Sequence, residues 1–201
     1  PATPSAPSAS GVVEPRKRKA SPVEIVAARR LTEAKQTIPH FYLSTEIEVS
    51  RLQSLRAEWN AKGDRPRVTL THLLVAATAR ALARHPELNR VWDGDGFIEF
   101  DGVDIGVAVD TDHGLLAPML RGAHGMSLAE LAREVGTLVA RAHAMVLTAA
   151  DIGGGAITVS NAGMHDVAWM VSIINPGQAA ILGVGSERKV FRPDEQGAPR
   201  L

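Results

Sequence analysis

Cysteine is absent from all 201 residues. That absence excludes disulfide scaffolds, thiol nucleophiles and cysteine-ligated zinc or iron–sulfur centres together, and it fits a reducing compartment. A cytoplasmic protein is expected. Net charge is lacking as well: 22 basic residues face 22 acidic ones. Such a balance argues against a chain built mainly to coat nucleic acid or an anionic membrane surface. No apolar run approaches the roughly 18 residues a transmembrane helix needs, so neither nucleic acid nor membrane is expected as a partner. The chain starts at Pro1 and not at methionine, which suggests a piece of something longer.

What is present is ordinary for a globular domain: 45% hydrophobic and 22% charged residues. A chain of this length buries about 70% of its unfolded surface, enough for a real core. The first fifteen residues, PATPSAPSASGVVEP, are mostly Pro, Ala and Ser, too poor in apolar area to offset their ordering entropy. The basic run Arg16, Lys17, Arg18, Lys19 follows, and a solvated hinge explains it more simply than a partner contact. Residues 1–20 therefore read as a linker, and residues 21–201 as one domain.

Order is expected from Ser21, where Ser21-Pro22-Val23-Glu24 supplies a capping box and a first-turn proline. That helix should end near Gln36, before the Ile38-Pro39 pair. Phe41, Leu43, Thr45, Ile47 and Val49 alternate with polar residues and predict a strand with one buried face. A helix over about Arg51–Ala61 follows. Another begins near Thr69, with Leu70, Leu73, Leu74, Ala77 and Ala81 on one face. Strands are expected at Phe97–Phe100, Val103–Val109 and Leu115–Leu120. Ser127 and Glu130 cap a helix that turns Leu128, Leu131, Val135, Leu138, Val139 and Ala142 inward. Ala156–Ser160, Gln178–Val184 and Arg188–Arg192 complete the strands. Interleaved helices and strands around a mixed sheet define an α/β fold in two layers.

The seven histidines show no His-x-x-x-His or His-Glu-x-x-His spacing, so no metal site is expected. His40, at a strand entrance, is the one histidine held open as a pocket residue. Gly153-Gly154-Gly155 lacks the Gly-Lys-Ser/Thr of a phosphate loop and enters a strand, so it reads as a flexible approach. No Gly-x-Ser-x-Gly elbow occurs. Ser160 ends an apolar strand directly before Asn161-Ala162-Gly163. Its hydroxyl either projects into a cleft, where it could donate to a developing oxyanion, or satisfies a turn.

Several segments together carry a family resemblance. They are Ile38-Pro39-His40-Phe41; Pro86-Glu87-Leu88-Asn89 with Trp92; Val103-Asp104-Ile105-Gly106-Val107-Ala108-Val109; and Gly114-Leu115-Leu116-Ala117-Pro118. Ile157-Thr158-Val159-Ser160-Asn161-Ala162-Gly163 and Ile174-Asn175-Pro176-Gly177-Gln178-Ala179-Ala180-Ile181-Leu182-Gly183-Val184 follow in the family's order. In these the chain resembles the catalytic domain of the dihydrolipoamide acyltransferases, core components of 2-oxoacid dehydrogenase complexes, from about Ser21 to Leu201.

The resemblance implies a fold similar to chloramphenicol acetyltransferase, a homotrimer or larger core assembly, and acyl transfer between dihydrolipoamide and coenzyme A. It implies that the lipoyl group rides on a separate domain absent from this chain. The implied partners are that lipoyl domain, a 2-oxoacid decarboxylase and a dihydrolipoamide dehydrogenase. The family's oxyanion-binding hydroxyl matches Ser160; His40, Asn161 and Gly163 are implied as channel candidates. The family's general-base histidine lies in an Asp-His-Arg-x-x-Asp-Gly motif, and no His-x-x-x-Asp-Gly occurs here. The base is therefore assigned to none of the seven histidines, and the C-terminal part of the domain is expected to be missing. A catalytically inactive scaffold of the same fold, which trimerises and holds partner enzymes, is the alternative. A free-standing acetyltransferase fits less well, because the linker implies tethered domains.

Overall fold

The computed structural model describes residues 15–200; most of the expected linker, residues 1–14, and Leu201 lie outside the described residues. Helix α1 spans Pro22–Thr37 and starts as its sequence dictates. The Glu24 amide donates to Ser21 Oγ at 3.2 Å, and the Ser21 amide donates to the Glu24 carboxylate at 2.7 Å. Two orphan amides of the first turn are thereby satisfied, with Pro22 at the position that needs no donor. Only Ala34 of α1 is buried.

Helix α2 covers Ser50–Ala61, α3 Leu70–Arg84 and α4 Leu128–His143. The hairpin of β1 (Arg90–Trp92) and β2 (Phe97–Glu99) follows α3. Next come β3 (Ile105–Val107), the hairpin of β4 (Val109–Thr111) with β5 (Gly114–Leu116), and β6 (Met119–Leu120). After α4 the chain forms β7 (Ile157–Asn161), β8 (Ala180–Val184), and a short pair, β9 (Arg192–Pro193) with β10 (Pro199–Arg200).

The main sheet runs in the order β6-β3-β7-β8. β3, β7 and β8 are parallel, and β6 pairs antiparallel with β3, so the sheet is mixed as expected. Helices α3 and α4 cover one face. Val75, Ala79 and Leu82 of α3 and Leu131, Val135 and Leu138 of α4 pack on Ile105, Val107, Leu120 and Val159 in one cluster. Burying each of these larger aliphatic side chains stabilises by about 1.5–3 kcal/mol. The second layer is thus helical, and the α/β two-layer reading holds.

Four expectations change. Residues 41–49 form no strand, and Phe41, Leu43 and Ile47 are exposed. Alternation supplies a face, but a strand also needs a backbone to pair with; among the described residues no strand pairs with this stretch, which Arg192 of β9 reaches through its ion pair with Glu46. The buried face of α3 carries Val75, Ala76, Ala79 and Leu82, while Ala77 and Ala81 are exposed. This helix is apolar on most sides, so periodicity alone cannot choose which side meets the sheet. The long strands expected over Val103–Val109 and Leu115–Leu120 are each divided: β4 and β5 leave the main sheet as a hairpin, and Ala117-Pro118 separates β5 from β6. The strand expected over Arg188–Arg192 reduces to Arg192–Pro193.

Candidate active site

Because side chains alternate along a strand, β7 distributes its residues to two faces. Val159 is fully buried under the helices. Asn161 lies on that same face: its Nδ2 donates to Thr71 Oγ1 of α3 at 3.0 Å, and its Oδ1 accepts from the Gly163 amide at 2.9 Å. Thr158 and Ser160 point to the other face, away from the helices. The structure therefore separates Ser160 from Asn161.

Gly163 is a packing residue. A Cβ there would stand 2.7 Å from the Gly185 carbonyl oxygen, so the chain after β7 crosses close to the chain after β8 only because residue 163 has no side chain.

His40 sits between two backbones. The Ile174 amide donates to its Nε2 at 3.1 Å, which leaves the proton on Nδ1, 2.7 Å from the Ile38 carbonyl oxygen. Both ring nitrogens are used, so His40 pins the 174 loop and has no free lone pair for a thiol proton. Three of the other histidines also use a ring nitrogen. His124 Nδ1 accepts from the Val103 amide at 3.3 Å. His85 faces Glu87 at 3.2 Å. Burial pushes the His72 imidazole below its ordinary value, and its Nδ1 accepts the Thr69 amide at 3.2 Å in the first turn of α3. His113, His143 and His165 are exposed.

Beneath Ser160 on the same face lies a closed polar network. The Thr158 hydroxyl donates to Gln178 Oε1 at 2.6 Å. Asn175 Nδ2 donates to Thr158 Oγ1 at 3.0 Å and to Gln178 Oε1 at 3.1 Å. Thr158 and Gln178 are buried, and buried polar groups that satisfy one another rigidify the backbone carrying them. This network ties β7 to the loop that enters β8. At the opposite end of the sheet, Arg121 donates to Asp104 Oδ2 at 2.8 Å and to the carbonyls of Ala150 at 2.8 Å and Gly153 at 3.0 Å. That fork holds the glycine run, which enters β7 as the sequence suggested.

Ser160 itself, half-buried at the carboxyl end of the central parallel strand, makes no side-chain hydrogen bond to any described residue. A hydroxyl on a braced strand with an uncommitted proton is a preorganised donor. Thr158, Asn175 and Gln178 stand in the family-like segments of the sequence, but no role was assigned to them there. The available signal was Gln178, a polar side chain at the head of the apolar run that leads into β8. Among the described residues, no cluster of His, Asp or Glu could hold a metal ion, and no helix is long and apolar enough to cross a membrane.

A mixed four-stranded sheet with two helices on one face is an architecture shared with solved proteins. The fold matches Azotobacter vinelandii dihydrolipoamide acetyltransferase with a TM-score of 0.85 at 26% identity, covering 97% of this chain and 84% of that one. That structure was solved to probe the catalytic roles of a serine, a histidine and an asparagine in that enzyme. A probable dihydrolipoamide acetyltransferase from Listeria monocytogenes gives a TM-score of 0.83 at 30% identity, with 94% and 82% covered. The cubic core of a pyruvate dehydrogenase multienzyme complex gives 0.85 at 27% identity, with 97% and 84% covered.

Residues 13–200 match the model of the 2-oxoacid dehydrogenases acyltransferase (catalytic domain) family, and the chain belongs to that family. The dihydrolipoyllysine-residue acetyltransferase component of the pyruvate dehydrogenase complex of Rickettsia conorii is 37% identical over 167 residues, 82% of this chain and 40% of that protein. Its counterpart in Zymomonas mobilis is 38% identical over 180 residues, 88% and 41% of the two chains. The chain thus spans about two fifths of the length of the curated relatives it matches.

Proposed function

We propose that the protein is the acyltransferase core of a cytoplasmic 2-oxoacid dehydrogenase complex and passes an acyl group between dihydrolipoamide and coenzyme A. The observation that carries this reading is the Ser160 hydroxyl, uncommitted on the face of β7 away from α3 and α4 in a chain of this family. In the reaction, the coenzyme A thiol attacks the carbonyl carbon of the acyl-lipoyl thioester. A new carbon–sulfur bond forms, the carbonyl oxygen becomes an oxyanion, and the old carbon–sulfur bond then breaks. The proton lost by the attacking thiol ends on the departing dihydrolipoamide sulfur. Ser160 donates its hydrogen bond to the oxyanion, where the charge develops, and so binds the transition state more strongly than the ground state.

The lipoyl group arrives on a separate domain, and residues 1–20 are the linker between such domains and the core. Trimers or larger assemblies of this domain hold the 2-oxoacid decarboxylase and dihydrolipoamide dehydrogenase in one complex. The half-exposed apolar side chains Val23, Ile25 and Val26 of α1 and the exposed Phe41, Leu43 and Ile47 support assembly, since such surfaces mark contacts with other chains.

The test is direct transfer. The full-length protein, given acetyl-coenzyme A and dihydrolipoamide, is expected to form S-acetyl-dihydrolipoamide, read by its thioester absorbance and by mass. Assembly without transfer for acetyl, succinyl and branched-chain acyl donors alike would leave the scaffold in place of the enzyme.

A further inference from the structure

Helix α3 has two apolar sides. One, with Val75, Ala79 and Leu82, packs on the sheet. The other carries Leu73, Ala77 and Ala81, the side that the sequence marks as inward, and it leaves Ala77 and Ala81 exposed. At about 3.6 residues per turn the two sets stand nearly opposite one another, so the second side points away from the sheet.

Leu73, Ala77 and Ala81 lie along an open groove of about 440 Å³, with Arg80 and Arg84 beside them and Leu52 of α2 and Leu128 of α4 as further walls. From Leu73 to Arg84 the groove follows α3 for about 16 Å, roughly three helical turns. A trough of that length along one helix has the form that a second helix fills, by setting its i, i+3 or i+4, and i+7 side chains into it. Alanine at 77 and 81 lets another backbone come close, since the spacing of packed helices is set by the side chains at their contact.

The rim is cationic. Arg80 and Arg84 are exposed, one turn apart, and neither has an ion-pair partner among the described residues. Arg56 follows Leu52 by one turn on α2 and is likewise unpaired among them. Glu130, in the first turn of α4, is turned back on its own helix, where its carboxylate accepts the Ser127 amide at 2.8 Å.

We propose that this groove docks an acidic amphipathic helix of a partner protein. The helix seats its aliphatic side chains over Ala77 and Ala81. Its carboxylates, one turn apart, pair with Arg80 and Arg84, whose guanidinium forks match carboxylates in two-point contact. The chain's own exposed helix α1 is the wrong occupant, because Arg29, Arg30 and Lys35 would bring like charge to the rim. Docking leaves β7 free, since α3 stands between the groove and the sheet.

The test uses a fluorescein-labelled peptide helix of about 16 residues, with leucines at i, i+4, i+7 and i+11 and glutamates flanking them. Fluorescence anisotropy reads its binding to the full-length protein. Saturable binding is expected, and the same peptide with lysine for every glutamate should bind at least roughly 10-fold more weakly. In the double variant Arg80→Glu/Arg84→Glu that preference should reverse, which also shows that the variant is folded. Ala77→Trp, which fills the groove from an exposed position, should abolish binding of the glutamate peptide. Absence of saturable binding, or equal binding by Ala77→Trp, overturns the proposal. A fall in the mass of the assembly on light scattering in either variant also overturns it, since another copy of this chain would then occupy the groove.

Discussion

Gly106 and Thr158 are register partners on β3 and β7, and a Cβ at position 106 would stand 2.2 Å from Thr158 Oγ1. The Thr158 hydroxyl cannot swing aside freely, because it is bonded to Gln178 and Asn175. The glycine therefore serves the polar brace under Ser160. Gly106→Ala is expected to destabilise the fold by about 1–3 kcal/mol, the usual cost of overpacking a filled site. At this chain size each kcal/mol lowers the thermal midpoint by about 2–4 °C. Calorimetry checks it, and a midpoint equal to wild type would show that the network yields easily.

Asp151 gives the fold a defined acid sensitivity. Its carboxylate accepts the Thr148 amide at 2.6 Å and the Thr148 hydroxyl at 2.7 Å, and it meets Arg141 in a two-point pair at the end of α4. The Thr148 amide, then its hydroxyl, and Arg141 in support hold the Asp151 carboxyl below its ordinary range. A depressed native pKa means that the unfolded chain takes up the proton at higher pH than the folded one. The stabilisation is fully present above the ordinary carboxylate value of about 3.9 and is lost as pH falls through the lower native value. Asp151→Asn should therefore lower the urea midpoint at pH 6, with the gap to wild type narrowing as pH drops below about 4. A gap independent of pH would mean that the pairing is not electrostatic.

Leu43 is 89% exposed and Phe41 80% exposed, which no isolated subunit has reason to keep. If this segment meets another copy, Leu43→Glu should lower the mass of the assembly in light scattering and leave the circular dichroism of the subunit unchanged. Retention of the wild-type mass would remove the segment from the interface.

Local signals were legible where one stretch of chain decides its own structure. The Ser21 and Ser127 capping boxes started α1 and α4 where expected, and apolar runs placed β7 and β8 within a residue or two. Ser160 at the end of β7 was legible for the same reason. Long-range relations were not. The segment from Phe41 to Val49 has the alternation of a strand but pairs with no described strand, and alternation carries no information about pairing. The inward side of α3 was chosen by the sheet it meets. Gly183 in β8 and Gly185 just beyond its end were the available sign that another backbone approaches closely there.

If the Ser160 hydroxyl stabilises the oxyanion of acyl transfer, turnover depends on it. The most direct measurement is kcat for acetyl transfer from acetyl-coenzyme A to dihydrolipoamide in wild-type and Ser160→Ala full-length protein, with both shown to be equally folded and assembled. A loss of roughly 100-fold or more in kcat, with little change in either KM, is the predicted result. Equal turnover by the two proteins would contradict the claim and take Ser160 out of the mechanism.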